Sequence, residues 1–226
     1  MENWGLTALP TEELIDILVS RMRPVRPLRP PALRVTVWAA ISAPWLILII
    51  LTMGLRPDLH ARLEDGRWLI EQAVAAATAL TAAQAAFGAG IPGRGRKWER
   101  VVPLALLAVW LGFLGHGCFT ASHAQGPGSL GIHSDWRCLP GIAVVGLIPG
   151  IVIARMISQG VPLAPISTVA FGVLATAAMG EMGLQFFHRA DSSLMVLIWQ
   201  GGAVIGLTLL GACVGPRLMR SRADIP

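Results

Sequence analysis

TVWAAISAPWLILIILTMG, residues 36–54, runs for nineteen positions without a charged side chain. At ~1.5 Å per residue a helix of that length spans ~29 Å, close to the ~30 Å hydrocarbon core of a bilayer. It starts after Arg34 and is longer than a signal-peptide core, so it reads as a membrane span. It stops at Gly54-Leu55-Arg56-Pro57, where glycine, charge and proline together end a helix.

Five more runs of the same kind follow, at 68–90, 101–117, 139–157, 162–187 and 194–215. The second stops at Pro92-Gly93-Arg94-Gly95-Arg96-Lys97, and the fifth is interrupted near its end by Glu181 and Gln185. Short links join one run to the next. The expected fold is therefore an all-α membrane protein, six transmembrane helices in an up-and-down bundle. Composition agrees: 54% of the 226 residues are hydrophobic and 14% charged, and mean hydropathy is +0.63. A soluble domain carries about a quarter charged residues, so soluble enzyme folds are excluded.

The net charge of +5 has a topological explanation. Arg21, Arg23, Arg26, Arg29, Arg34, Arg94, Arg96, Lys97, Arg100, Arg155, Arg217, Arg220 and Arg222 fall on one side of the expected bundle. Only Arg56, Arg62, Arg67, Arg137 and Arg189 fall on the other. Lys and Arg stay cytoplasmic, which places both termini inside. The chain then divides into a cytoplasmic segment 1–34, a transmembrane domain 35–216 and a cytoplasmic tail 217–226. Ala73, Ala77, Thr81, Ala85 and Ala89 form a small-residue stripe, and Gly146/Gly150, Gly202/Gly206 and Gly211/Gly215 are GxxxG pairs suited to close helix contact. They read as packing within the chain, with homodimerisation as the minority reading.

Segment 1–34 has its own design. Thr11 can cap a helix with Glu12 and Glu13 in its first turn. Leu14, Ile15, Leu18 and Met22 make one apolar face of a helix over 11–23. Residues 24–31 contain four prolines and should be extended and semi-rigid. A helix of about a dozen residues is marginal alone in water, so it needs a surface. Its acidic first turns disfavour lipid docking, which leaves a partner's groove or the bundle's own ends.

All five histidines fall on the outer side, with Cys118 and Cys138. Glu181, Gln185 and His188 are spaced four and three, on one face of the fifth span. Glu181 is costly in hydrocarbon and should point inward or to water. Thiolate, imidazole and carboxylate from Cys118, Cys138, His188 and Glu181 suit a soft metal such as Zn, Cu or Cd. Cys118 and Cys138 have a second reading, a disulfide closing the loop between spans 3 and 4. Nucleotide-binding loops and nucleophile elbows are absent, and no catalytic constellation appears.

Thr11-Glu12-Glu13-Leu14-Ile15-Asp16, the Arg/Pro stalk, Gly54-Leu55-Arg56-Pro57-Asp58-Leu59, Ile91-Pro92-Gly93-Arg94, Trp136-Arg137-Cys138-Leu139 and Trp199-Gln200-Gly201 resemble the NrsF-type six-helix inner-membrane anti-sigma factors of proteobacteria. The resemblance covers about 11–222. It implies a bacterial inner-membrane regulator, not an enzyme, whose N-terminal cytoplasmic segment holds an extracytoplasmic-function sigma factor; the apolar face of Leu14, Ile15, Leu18 and Met22 is the expected contact. It requires no cofactor and no direct contact with nucleic acid; its partners are the sigma factor and the lipid bilayer. It also implies that outward cysteines sense heavy metals or oxidants, here Cys138, with His188 where the family commonly has a second cysteine. Gln200 stands where the family commonly has histidine. A Cys138–His188 pair, with Cys118 or Glu181, would then ligate metal without a disulfide. The alternative is a small inner-membrane metal-binding or redox protein with no sigma partner.

Overall fold

The computed structural model describes residues 10–21, 28–89, 91, 97–125, 138–160, 164–188, 194 and 196–223. Among them there is helix and no strand. The helices are α1 (Thr11–Arg21), α2 (Pro31–Met53), α3 (Leu59–Glu64), α4 (Gly66–Gly88), α5 (Lys97–Gln125), α6 (Cys138–Ile157), α7 (Pro165–Leu184) and α8 (Gly202–Ala223). A π-helical stretch, Val196–Gly201, leads into α8. The short α3, in the link after the first span, had no signal in the apolar pattern.

Contacts at the two ends show that the six long helices alternate in direction. At one end Arg34, near the start of α2, meets Phe87 at the end of α4 and the Met156 carbonyl at the end of α6. At the other end Arg56, just past α2, bonds to Gln185 at the end of α7, and Arg67 at the start of α4 bonds to Phe113 well along α5. Gly211 and Gly215 of α8 lie against Val173 and Val169 of α7, while Gln200 lies beside Gln185. This is the up-and-down arrangement.

Five helices are long and apolar enough to cross a membrane: Pro31–Met53, Lys97–Thr120, Pro140–Ile157, Pro165–Leu184 and Val196–Gly215. The expected span at 68–90 is the helix α4, but it is not one of these five. The reason is its place. Ala75, Thr78, Ala79, Ala82, Ala83, Ala86 and Phe87 are buried among neighbouring helices, chiefly α7 and α5. A helix shielded by protein needs small residues for close approach more than it needs apolar bulk. Its partner α7 is similarly central, 67% buried over its apolar window where the other four are 22–28%. The buried face of α4 is not the anticipated stripe, since Ala73 is exposed and only its far end, Ala85 and Ala89, is covered.

Small residues let α6 and α7 touch backbone to backbone. A Cβ at Gly180 would sit 2.7 Å from the Ile142 carbonyl oxygen, and one at Gly146 3.2 Å from that of Thr176. Around this contact Trp38, Leu174, Ala175, Ile153 and Phe87 form the main core. Pro149 lies inside α6 and cannot donate to the Val145 carbonyl four residues back. Trp45 of α2 fills the vacancy, its indole N–H 3.1 Å from that oxygen. Unpaired backbone is expensive in lipid, so this bond fixes α2 against α6.

Candidate functional site

The helix α1 starts where its sequence signals put it. The Leu14 N–H donates to the Pro10 carbonyl at 3.0 Å, so Pro10 rather than Thr11 occupies the capping position. Glu12 and Glu13 stand in the first turn and Arg21 in the last, matching the helix dipole. No residue of α1 is buried. Leu14 is 44% exposed, Ile15 51%, Leu18 56% and Val19 59%. Met22 lies outside the described residues. Val19 belongs to the same apolar face and was missed, although its spacing of four from Ile15 carries the signal.

At the opposite end from Arg34, the link after α2 is tied to the end of α7. Arg56 is only 5% exposed. Its backbone N–H donates to the Phe186 carbonyl at 3.0 Å and its Nη1 to the Gln185 carbonyl at 3.2 Å. Nε and Nη2 form a bidentate pair with Asp58 at 2.8 and 2.9 Å. That hydrogen bonding, followed by the charges of Arg56 and Arg62, holds the Asp58 carboxyl well below the usual carboxylate range. Trp68 stacks edge-on against Phe186, ring centroids 5.6 Å apart.

Beneath this clamp lies a buried polar ring. Glu181 and Gln200 are 2% and 1% exposed. Gln185 Nε2 donates to Glu181 Oε1 at 2.9 Å and to Gln200 Oε1 at 2.8 Å. With the Gln200 amide turned over, its Nε2 stands 2.7 Å from Glu181 Oε1. Either way three side chains from α7 and the π-helical stretch close on one another, beside a small cavity lined by Ala75, Thr78, Leu107, Trp110, Ala178 and Val204. Glu181 thus points into the bundle, and amides surround it.

The anticipated ligands are distributed around this end. α7 stops at Leu184, and His188 follows it after a turn at 185–187. The His188 N–H donates to the Leu184 carbonyl at 2.8 Å. Cys118 is a half-buried free thiol on α5. α6 begins at Cys138, one turn before Gly141, and a Cβ at Gly141 would meet Leu184. The Cys138 backbone is therefore at the same end as His188; its side chain lies outside the described residues. Among the described residues no three of His, Cys, Asp and Glu stand close enough to share a metal ion. Nearby, Glu71 is paired with Arg67 at 3.1 Å.

A family model described as NrsF, negative regulator of sigma F, matches residues 18–220. No curated protein and no solved structure matches the chain. The match begins within α1, at Leu18, takes in α2 to α7 whole and ends at residue 220, in the last turn of α8. With most of its length covered, the chain belongs to the NrsF family of negative regulators of a sigma factor.

Proposed function

We propose that the protein is a membrane-embedded anti-sigma factor that sequesters an extracytoplasmic-function sigma factor on α1 and releases it on a periplasmic signal. In this reading α4 is the sixth span, both termini are cytoplasmic, and the membrane is the bacterial inner membrane. The exposed apolar face of α1 carries the proposal. Eleven residues make a marginal helix in water, and burying side chains such as Leu14, Ile15 and Leu18 in a groove contributes about 1.5–3 kcal/mol each. The end of the bundle from which α1 extends also bears Arg34, Lys97, Arg100 and Arg155, as the positive-inside rule expects of a cytoplasmic face.

The signal is a soft metal ion (Zn, Cu or Cd) or an oxidant, received by Cys138, His188 and Cys118 at the opposite end. Gly141 against Leu184 supports this reading, because it brings the start of α6 and the end of α7 together. Copurification from detergent-solubilised membranes tests the partner. The full chain should carry a sigma factor, and a chain lacking residues 1–23 should not. Retention by the shortened chain would place the binding element elsewhere.

A further inference from the structure

The stalk that carries α1 does not simply run into the membrane. Its last residues are fastened to the bundle at two points. The Arg34 N–H donates to the Pro30 carbonyl at 3.1 Å, so α2 begins directly on the final prolines. The Arg34 side chain is buried, and its guanidinium carbon lies 4.3 Å from the centroid of the Phe87 ring at the end of α4. Nη2 donates to the Met156 carbonyl in the last turn of α6. Six residues upstream, Leu28 lies over Gly160, just past the end of α6, where a Cβ would stand 2.8 Å from Leu28 Cδ1.

These contacts have a common property. The described partners of Arg34 are a ring on one helix and a carbonyl on another, and neither is a carboxylate that could follow the guanidinium by rotating. Any shift of α4 against α6 must therefore move Arg34 or break one contact. The sequence places prolines at 24, 27, 30 and 31, on both sides of Leu28, and a proline-rich run is expected to be semi-rigid.

We propose that Arg34 and Leu28 form a latch that positions α1, fixing the angle at which the stalk leaves the bundle and carrying relative movement of α4 and α6 to the partner-binding helix. The latch rests on the reading of α1 as the sigma-binding element, and it supplies the output side of that reading. It touches none of the residues assigned to sensing.

Distance measurements on the full chain test it. Spin labels are placed at Ser20→Cys on α1 and Arg100→Cys on α5, both exposed, with Cys118, Cys138 and Cys213 changed to Ser, and the protein is held in lipid nanodiscs. The unmodified latch should give a narrow distance distribution. Arg34→Met, which keeps length but removes donor and charge, and Gly160→Leu, which displaces Leu28, should each broaden it about two-fold or more. Arg34→Lys retains a cation for Phe87 and a donor for Met156, and should stay narrow. Gly160 lies outside the core, so that variant decides the matter even if Arg34→Met fails to fold. A distribution as broad with the latch intact as without it, or as narrow in both latch variants, would overturn the proposal. Sigma-factor capture is measured on the same samples and should survive in the variants. Absence of capture by the parent chain would fault the reading of α1 and leave the distance result to judge the latch.

Discussion

Arg56 and Gln185 are 129 residues apart in the chain, yet Arg56 Nη1 lies 3.2 Å from the Gln185 carbonyl oxygen. The bond joins the link after α2 to the turn that ends α7. Gln185 also supplies the amide at the centre of the buried ring. One residue therefore connects the outer clamp with the interior polar group.

The clamp makes a prediction about pH. The folded-state pKa of Asp58 is depressed, so its contribution to stability is complete above its unfolded value of ~3.9. It is lost only as pH falls through the lower folded value. Thermal unfolding of the wild type and Asp58→Asn should differ at neutral pH, and the gap should close in strong acid. A gap independent of pH would show that the charge is not what matters.

Arg56→Met should cost more than Asp58→Asn. It removes two bonds to the end of α7 along with the carboxylate pair, and hydrogen bonds from charged groups contribute about 1.5–3 kcal/mol each. Unfolding in detergent reads the difference. A loss no larger than that of Asp58→Asn would mean that the backbone bond to Phe186 alone holds the turn.

The buried ring should behave as a unit. Gln200→Leu leaves Glu181 and Gln185 short of a partner and should destabilise by about 1–3 kcal/mol. Combining it with Glu181→Leu should cost less than the two changes summed, with a coupling of about 0.5–3 kcal/mol. Simple additivity in a double-mutant cycle would count against the ring.

Trp45→Phe keeps the apolar contact but strands the Val145 carbonyl, at an expected cost of about 1–3 kcal/mol. Pro149→Ala restores a donor within α6 and should recover much of that loss in the Trp45→Phe background. If it recovers none, the indole matters for packing rather than for the broken helix bond.

At the other end, Leu14→Asp with Leu18→Asp should leave stability within about 0.5 kcal/mol, since both residues are exposed. Capture of the sigma factor should nevertheless be lost. Cys138→Ser should leave capture intact and blunt release by added zinc, copper or cadmium. Loss of capture in Cys138→Ser would point to a folding role.

Several features were legible from short stretches alone. The apolar runs coincide with the six long helices, because a helix in lipid must be apolar over most of its length, although α5 and α8 each continue eight residues past the runs that marked them, to Gln125 and Ala223. The α1 face was legible from spacing, apart from Val19. The metal-ligand grouping was less so. Glu181 was expected to turn inward, and it does, but onto Gln185 and Gln200. Arg56 stands in Gly54-Leu55-Arg56-Pro57, where no neighbouring residue marks it as buried.

What the sequence by itself determined is the succession of long helices, the exposed amphipathic helix ahead of them and the bias of basic residues to one side. Each depends on neighbours a few positions apart. Which helices meet was decided only in three dimensions. Trp45 finds Val145 across 100 residues, Arg34 finds Met156 across 122, and α4, the long helix that is not among the five apolar enough to cross a membrane, takes the centre beside α7. A span in lipid is apolar on every side, so hydrophobicity does not mark the face that packs. Close approach at glycine and alanine, and the need to pair each buried polar group, select it once all the helices are present.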